Sequence, residues 1–537
     1  MKDGVTRRGF VGGTAAVGGL FLGSGTFPVN AATVANVECD SPFGGAEVVE
    51  GDIRYQDLAS RGRNSRFVGH PGVIHVVGSA EQTERVVQDA VRAGRRIAVR
   101  SGGHCYENFV DDPAVQVLLD VSEMAEVRFD ERRSAFAVES GATLGQLYRT
   151  LFLGWGVTVP GGACPDVGVG GHVTGGGYGP LSRQYGLAVD HLHAVEVVVV
   201  DASGRAHRVT ATGAVDDPNR ELWWAHTGGG GGNFGIVTRY WFRSPHARGT
   251  DPAALLPRPP GALHNVAITW EWDKMSQEAF RAVVRRYGQW HQSHAGSDSP
   301  YADLASGLTL GHREAGPITV NASLDAGRSG AARLLDRYAE ELTQDLGIPS
   351  RVERSTVSWL RNTLSVPQSL QRVEFKTKAG FLRRPWTDGQ VDVIWRFLNQ
   401  SGGERWGTAV TLTSVGGRMN SVPSTATAMP HRDALFSAVY ETCWGDPRGR
   451  DGQLAWIRGF YRDLFSDSGG VPVPDDRNGG AYINYPDTDL ADPQWNTSGV
   501  PWHALYYGDN YRRLQRAKKR WDPLDVFRHA LSVERAG

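Results

Sequence analysis

Two glycine-rich stretches decide the fold: RSGGH at residues 100–104 and CPDVGVGGHVTGGGYGPLSRQYG at residues 164–186. Residues 96–99 are predicted to form a strand that runs into the first stretch. Glycine lets the backbone adopt positive φ or approach a ligand closely. The N–H groups exposed in such a turn can bind pyrophosphate oxygens. The two stretches therefore predict a backbone surface that holds a ligand.

A third stretch, GGGGGNFG at residues 228–235, contains a GxGxxG pattern. In a nicotinamide-binding Rossmann turn this pattern follows a strand and opens a helix. Here Trp223-Trp224-Ala225-His226 precedes it and the strand-like residues 236–242 follow, so a nicotinamide site is disfavoured. Bulky aromatic residues beside the glycines also disfavour a flexible linker. A tight backbone bend against a large ligand is the interpretation that fits best.

Several common catalytic motifs are missing from the sequence. It has no Walker lysine of a nucleotide triphosphatase, no HExxH of a zinc protease and no GxSxG nucleophile elbow. Four cysteines without a CxxC pair favour neither a disulfide framework nor a zinc ribbon, and we predict no metal. With 57 basic and 58 acidic residues, the charge gives no case for nucleic acid or an anionic membrane as a partner.

Residues 1–45 are predicted to be an export signal and a linker. Thr6-Arg7-Arg8-Gly9-Phe10 resembles a twin-arginine motif, a short apolar stretch follows at residues 11–22, and Val29-Asn30-Ala31 offers a small-residue cleavage site. The apolar stretch is too short to span a membrane. We therefore expect a periplasmic or secreted protein, with a cytoplasmic one as the alternative if the signal is not used.

The length of the chain, 537 residues, predicts two or more lobes rather than one compact core. Residues 46–246 alternate predicted strands and helices. Residues 247–474 begin near a proline-rich bridge and combine half-exposed strands with amphipathic helices, which predicts an antiparallel sheet covered by helices. Residues 475–537 return to dense aromatics and glycine. The predicted fold class is α+β.

The order of these motifs resembles the berberine bridge enzyme-like oxidases, which share a vanillyl-alcohol-oxidase-type (PCMH-type) FAD domain. The matching segments lie at residues 100–104, 161–179 and 228–238, with YINYPD at 482–487 and YYGDNYRRL at 506–514. Within the family, the pattern is most similar to bacterial natural-product oxidases such as glycopeptide hexose oxidases and aclacinomycin oxidoreductases. The resemblance implies a two-lobed FAD-binding domain, a substrate domain and a C-terminal segment that completes the flavin site.

The resemblance implies that FAD is held covalently by two residues. His104 would bond to the 8α-methyl carbon and Cys164 to carbon 6 of the isoalloxazine ring, and two such tethers should raise the flavin potential. Further cofactor contacts are implied at Arg100, Ser101, Gly102, Gly103, Val167, Gly170, Gly171, His172, Gly175, Ile236 and Asn510. For His172 the alternative is a side chain that is hydrogen-bonded within a turn.

Tyr485 matches the position of the family's catalytic base. A free phenol has a pKa near ~10, so it needs a partner that stabilises the phenolate. The alternative is an aromatic ring that packs on the flavin and only orients the substrate. Residues 482–485 are predicted to lie on a strand, so that Tyr482 faces away from Tyr485.

The implied reaction is hydride transfer from an alcohol carbon to flavin N5, with Tyr485 taking the hydroxyl proton. The resemblance places Val167 where the family gates oxygen, and valine there implies that O₂ is reduced to hydrogen peroxide; the alternative for this residue is plain packing. Sixteen tryptophans and sixteen tyrosines favour a sugar or a glycosylated natural product as the small-molecule substrate, although large proteins also bury such residues in their cores.

Several other functions fit the same sequence. The substrate could be a polyketide alcohol, or an alkaloid-like compound that undergoes oxidative cyclisation. A dehydrogenase that passes electrons to a quinone is the nearest enzymatic alternative. A flavin-binding protein without turnover and a cofactor-free isomerase on the same scaffold are the others. The oligomeric state stays open.

Overall fold

The computed structural model describes residues 43–296, 298–365 and 372–537. The predicted export signal at residues 6–31 lies outside these residues. Within them, no helix has both the length and the apolar character needed to cross a membrane.

The strands are numbered β1 to β16 in chain order. They are β1 Ala46–Val49, β2 Val73–Val76, β3 Ile97–Arg100, β4 Val117–Asp120, β5 Val127–Asp130, β6 Ala135–Glu139, β7 Leu192–Val200, β8 Ala206–Thr212, β9 Ile236–Phe242, β10 Ala262–Trp270, β11 Ala305–Gly311, β12 Ile318–Asp325, β13 Arg351–Ser358, β14 Glu374–Leu382, β15 Ala409–Ser414 and β16 Phe436–Trp444.

The α-helices are numbered α1 to α13 in the same way. They are α1 Tyr55–Ala59, α2 Ala80–Arg92, α3 Leu144–Trp155, α4 Val169–Thr174, α5 Ser182–Tyr185, α6 Arg220–Ala225, α7 Gln277–Ser293, α8 Ala331–Thr343, α9 Trp359–Leu364, α10 Asp388–Leu398, α11 Arg450–Leu464, α12 Trp502–Tyr507 and α13 Tyr511–Trp521.

Two sheets are built from the first nine strands. One has the order β1-β2-β4-β3, with β2, β4 and β3 parallel, and the other is antiparallel with the order β5-β6-β9-β7-β8. Helix α2 contacts strands of both sheets. Its Val87 shares one buried cluster with Leu119 of the first sheet and Val198 of the second. Burial of this apolar face on both sides holds the two sheets together.

The third sheet is antiparallel and has the order β13-β10-β12-β11-β15-β16-β14. Helices α8 and α11 pack on it. Helix α7 packs on α8, and helix α10 packs on both α7 and α11. An antiparallel sheet covered by helices is what the sequence predicts for this region, and the α+β fold class is confirmed. Alternate residues of the strands point to opposite faces, so one face is left for the site described below.

The C-terminal segment closes over the third glycine-rich stretch. The Lys518 ammonium donates to the Asn233 carbonyl at 2.9 Å, and the Tyr507 hydroxyl donates to the Gly229 carbonyl at 3.0 Å. Helix α13 packs on α6, where Arg513 pairs with Glu221 at 2.6 Å. These contacts fix the backbone of residues 228–235 as a bend.

Candidate functional site

A cavity of about 1260 Å³ lies between the glycine-rich stretches and the third sheet. Ligand sites commonly have about 300–1,000 Å³, so this one has room for a large cofactor and a substrate together. The site residues that the sequence predicts along its wall are His104, Cys164, Arg100, Ser101, Gly102, Gly103, Val167, Gly170, Gly171, His172, Ile236 and Tyr485.

Two of the predicted residues are not among those that line the cavity. Asn510 donates from its amide to the carbonyls of Ser424 at 2.8 Å and Thr427 at 3.1 Å, so it ties down a neighbouring loop. Gly175 packs against the Asn484 side chain so closely that a Cβ at residue 175 would overlap it. Gly175 therefore supports the wall from behind, because Asn484 lines the cavity.

The first two glycine-rich stretches touch each other through their backbones. A Cβ on Gly102 would overlap the backbone nitrogen of Gly168, and a Cβ on Gly168 would overlap Ser101. The Ser101 hydroxyl donates to the Ser140 carbonyl at 2.6 Å, which fixes the turn from the other side. Glycine at residues 102 and 168 is therefore required by close approach.

The side chain of Arg100 is buried behind this turn and is paired with an acid. Its guanidinium donates two hydrogen bonds to Asp120, at 3.0 and 2.9 Å, and Arg61 donates to the same carboxylate. Burial raises the pKa of Asp120 and the two arginines lower it, with a net lowering. Arg100 therefore anchors the strand end, and its charge is largely balanced by Asp120.

His104 is held by a carboxylate from the second glycine-rich stretch. Its Nε2 lies 3.2 Å from a carboxylate oxygen of Asp166. Burial and the positive charge of Arg63 lower the pKa of His104 below its usual value, and Asp166 only partly opposes them. The imidazole is therefore neutral near pH 7. A proton on Nε2, facing Asp166, leaves the Nδ1 lone pair available.

Cys164 is a half-buried free thiol in the same wall. Burial raises its pKa, and Arg63 opposes that shift. Arg63 thus favours the nucleophilic form at both predicted anchors, the neutral imidazole and the thiolate. Its backbone N–H donates to the Gly103 carbonyl at 2.8 Å, which keeps it next to the first stretch.

His172 has a structural contact in the second stretch. The Gly162 N–H donates to its Nε2 at 3.0 Å, so this nitrogen carries a lone pair. Burial lowers the pKa of His172 to about 4, which keeps the ring neutral. The ring fixes the turn at Gly162, as the alternative interpretation has it, and it also lines the cavity.

The hydroxyl of Tyr485 meets a second tyrosine that the sequence did not single out. Tyr178 and Tyr485 have their hydroxyl oxygens 2.9 Å apart, and Tyr178 donates to the Ser437 hydroxyl at 2.9 Å. Because the Tyr178 proton is engaged with Ser437, Tyr485 is the donor in the pair and its lone pairs are left to accept. Burial, followed by the effect of Tyr178, raises the pKa of Tyr485 well above its usual value.

The prediction that residues 482–485 form a strand is wrong. They form a turn in which the Tyr485 N–H donates to the Tyr482 carbonyl at 2.9 Å. The rings of Tyr482 and Tyr485 lie 5.2 Å apart, edge to face, and both line the cavity. The Tyr482 hydroxyl accepts from the Gly177 N–H at 3.0 Å and from the Asn484 amide at 3.0 Å. A turn has no alternation of faces, so the period-two argument did not apply.

Aromatic rings surround Tyr485, but tryptophan is rare in the cavity wall. Tyr106 stacks on Tyr485 with ring centres 5.7 Å apart. Of the sixteen tryptophans, Trp359 alone lines the described cavity. The tryptophan content therefore reflects mainly the packed core, as the alternative interpretation has it.

The third sheet forms a polar wall opposite the glycines. Two rows of cross-strand neighbours line the cavity, and most of these residues are small or carry hydroxyl or amide groups: Ser355, Asn265, Ser323 and Ala305 in one row, and Glu353, Ala267, Asn321, Gly307 and Thr413 in the next. Small side chains leave space over the sheet, and hydroxyl and amide groups both donate and accept hydrogen bonds.

Comparison with known proteins decides the family. An FAD binding domain model matches residues 71–210, and a berberine and berberine like model matches residues 481–534. The chain is 52% identical over 540 residues to an aclacinomycin-N/aclacinomycin-A oxidase of Streptomyces galilaeus, covering 99% of each chain. The chain belongs to the berberine bridge enzyme-like family. Like its relatives in this family, it is an FAD-dependent oxidoreductase.

Two further berberine bridge enzyme-like relatives carry sugar oxidation in their names. A hexose oxidase of Chondrus crispus is 30% identical, with 88% of this chain and 92% of the relative covered. The crystal structure of a glycopeptide hexose oxidase complexed with teicoplanin superposes with a TM-score of 0.88 at 46% identity. That match covers 92% of this chain and 100% of the other.

The residues of the cavity fit FAD. Ser101, Gly102 and Gly103 line the cavity directly after β3, and backbone N–H groups in such a turn can bind phosphate oxygens. Gly171 also lines the wall, and a Cβ there would meet no protein atom within 4 Å. A wall of glycine backbone beside a neutral imidazole and a thiol suits a large planar ring joined to a pyrophosphate.

Proposed function

We propose that this oxidoreductase is an oxidase that removes a hydride from the carbinol carbon of a sugar or a glycosylated natural product and reduces O₂ to hydrogen peroxide. The observation that carries the proposal is the pair of hydroxyls on Tyr178 and Tyr485 in the same cavity as His104 and Cys164. When bound, FAD supplies the acceptor for the two electrons and returns them to O₂. The protein supplies the positions and the proton transfer.

Tyr485 accepts the proton of the substrate hydroxyl in this proposal. Its raised pKa means that the resting phenol is neutral, so it must first release its own proton to water, and the phenolate that forms needs a hydrogen-bond donor. The Tyr178 hydroxyl can rotate from Ser437 towards Tyr485 and donate to it, since the oxygens are already 2.9 Å apart. A donor to the charged form lowers the cost of the phenolate.

His104 and Cys164 hold FAD covalently in this proposal. The contact of Asp166 with Nε2 of His104 supports Nδ1 as the atom that bonds. Burial keeps the imidazole neutral, as a nucleophile must be. Cys164 is the second tether, with Arg63 favouring its thiolate.

The substrate lies over the polar face of the third sheet. The rows that include Asn265, Ser323 and Asn321 offer donors and acceptors without a dominant charge, which supports a hydroxyl-rich substrate. An oxidative cyclisation would use the same cavity.

The test uses the purified holoenzyme with free sugars, glycosylated aromatic compounds and polyketide alcohols. O₂ uptake and peroxide are measured for each, with Tyr485→Phe at equal FAD content as the control. Peroxide formed in step with a carbonyl product supports the proposal. Product that forms only with a quinone acceptor would identify a dehydrogenase. If none of the alcohols reduces FAD, the proposal is wrong.

Export through the twin-arginine-like segment is a separate proposal. It rests on Thr6-Arg7-Arg8-Gly9-Phe10 and the small residues at 29–31. Fractionation of cells and N-terminal sequencing of the exported chain test it. Replacing Arg7 and Arg8 with lysine should retain the protein in the cytoplasm, and unchanged export would contradict the assignment.

A further inference from the structure

A buried charge cluster lies behind Tyr485, outside the cavity. We define it by its seven side chains: Arg66, Glu107, Lys376, Lys378, Arg458, Asp487 and Asp489. Four of them are cationic and three are carboxylates, and the five central side chains are 2–4% exposed. None of these residues lines the cavity described above.

Lys376 is the residue that joins the two halves of the cluster. Its ammonium contacts a carboxylate oxygen of Glu107 and lies 2.6 Å from one of Asp487. Lys378, two residues further along β14, lies 2.7 Å from Asp487 and 2.8 Å from Asp489, and no contact joins it to Glu107. Burial lowers the pKa of Lys376, and the carboxylates of Asp487 and Glu107 outweigh burial, so its pKa is raised.

The segments that meet in this cluster also carry the aromatic rings around the base. Tyr106 precedes Glu107, Phe375 precedes Lys376, and Tyr485 stands two residues before Asp487. The rings of Tyr106 and Tyr485 are stacked at 5.7 Å with an angle of 13° between their planes. Phe375 meets Tyr106 edge to face at 5.1 Å. Each segment therefore has a charged contact on one side and an aromatic contact on the other.

Strand β14 is an edge strand of the third sheet, so its outer edge is open to contacts with the segment that contains Tyr106. Asn64 satisfies part of its open edge: its amide donates to the Phe375 carbonyl at 3.1 Å, and its oxygen accepts from the Phe375 N–H at 3.3 Å. The same amide donates to the Tyr106 carbonyl at 2.8 Å. The backbone of the Tyr106 segment is thus fixed to β14 at the level of Lys376.

Stability alone does not explain a cluster of this kind. Desolvation costs several kcal/mol per buried ion, and well-packed apolar residues are often as stabilising as a buried ion pair. Salt bridges do, however, define one geometry, because each carboxylate has a fixed partner. The cluster stands two residues from a phenol whose orientation decides the proton transfer, and such a site benefits from a unique geometry.

We propose that Lys376 is a positioning residue for the reaction: by holding Glu107 and Asp487 together, it keeps Tyr485 stacked on Tyr106 with its hydroxyl at Tyr178. The inference rests on the proposed function, since it assumes that the phenol of Tyr485 is the group that acts. Lys376 itself touches neither the cavity nor the reacting atoms.

The test compares Lys376→Met with Lys378→Met in the FAD-loaded enzyme. Both lysines are on β14, are 2% exposed and contact Asp487, but Lys376 alone contacts Glu107. Lys376→Met should slow FAD reduction about 10- to 100-fold at saturating substrate and shift its pH profile upwards, since small misplacements have effects of that size. Lys378→Met should stay within about threefold of the parent rate, and Lys376→Arg should restore most of the rate. Equal slowing by both methionine variants would overturn the proposal.

A double-mutant cycle separates this inference from the proposed function. If Lys376 acts through Tyr485, then Lys376→Met adds little to the loss already caused by Tyr485→Phe. If the two losses multiply, Lys376 acts elsewhere and the inference is wrong. If Tyr485→Phe alone has no effect on FAD reduction, the proposed function fails first.

Glu107→Gln keeps the test decisive if Lys376→Met does not fold. The amide has the size of the carboxylate and removes the charge that links Lys376 to the Tyr106 segment. This variant should also slow FAD reduction, and in its crystal structure the rings of Tyr106 and Tyr485 should separate beyond 5.7 Å. A loaded Glu107→Gln enzyme with the parent rate, pH profile and ring distance would contradict the proposal.

Discussion

The hydroxyl oxygens of Tyr178 and Tyr485 lie 2.9 Å apart although 307 residues separate them in the chain. Tyr178 comes from the second glycine-rich stretch and Tyr485 from the C-terminal region, so the folded chain brings together one group from each. The pair gives Tyr485 a partner that can donate a hydrogen bond to its phenolate, which the raised pKa of Tyr485 would make necessary for a base.

Replacing Tyr178 with phenylalanine should slow FAD reduction by about 10- to 100-fold near pH 7.5, which reaches only the lower end of the range for loss of a general acid or base. The rate should recover at higher pH, because the phenolate of Tyr485 then forms without the donor. Anaerobic stopped-flow absorbance across pH measures this. Tyr482→Phe is the matched control, since its hydroxyl contacts Gly177 and Asn484 instead of Tyr485. A Tyr178→Phe profile that superposes on the parent would contradict the pairing.

Replacing Asp166 with alanine should lower the fraction of FAD bound covalently. The change removes the acceptor that faces Nε2 of His104, so the imidazole no longer presents one fixed nitrogen. Acid precipitation followed by intact mass gives the fraction attached. Asp166→Asn keeps an acceptor and should be affected less. Full attachment in the alanine variant would mean that Asp166 has no part in it.

Replacing Gly102 with alanine should prevent FAD loading. The added Cβ would overlap the backbone of Gly168, so the two glycine-rich stretches must separate. The FAD content per protein and the melting temperature report the effect. Gly154→Ala is the control, because a Cβ there meets no atom within 4 Å. A Gly102→Ala protein that binds FAD fully would show that the stretches are not held together as described.

The free energy of unfolding should rise with pH between about 4 and 6.5. Burial lowers the pKa to about 4 in four histidines: His172, His226, His431 and His529. An unfolded histidine binds a proton below about pH 6.5, so in this window the unfolded state binds more protons and stability falls as the pH falls.

His431 allows that pH dependence to be tested at one residue. It is buried and stacks on Phe381 at 4.5 Å, so phenylalanine should fill its place. Urea unfolding of His431→Phe from pH 4 to 7 should show a slope reduced by up to about 1.4 kcal/mol per pH unit. The exposed His246 provides the control in His246→Gln. An unchanged slope in His431→Phe would remove His431 from the explanation.

The helices and strands of residues 46–246 and the residues of the cavity wall were predictable, because the sequence patterns that indicate them are local. Helix α2, Ala80–Arg92, is one of the predicted helices of this region, and its apolar face shows in the spacing of Val87 and Ala90. His104 and Cys164 stand in glycine-rich stretches that are readable without the fold. Their place in one cavity follows from the same motifs.

The functional residues that the sequence did not reveal act through contacts between parts of the chain that are distant in sequence. Nothing near Tyr178 indicates that its hydroxyl meets Tyr485, although a tyrosine among the glycines of residues 175–179 is a signal that could have been weighed. The turn at 482–485 was missed because it holds no glycine, and Pro486 follows it rather than falling inside it. Lys376 and Lys378 have the alternation of an exposed strand face, but Glu107, Asp487 and Asp489 pair with their ammonium groups and bury them.

In the proposed reaction, Tyr485 accepts the substrate proton while FAD, held beside His104 and Cys164, takes the hydride. Anaerobic stopped-flow reduction of FAD in Tyr485→Phe, at full FAD content and with a substrate that reduces the parent enzyme, tests it most directly. We expect a rate at least about 100-fold lower that no longer rises with pH, as for loss of a general base. A reduction rate and pH profile equal to those of the parent would contradict it.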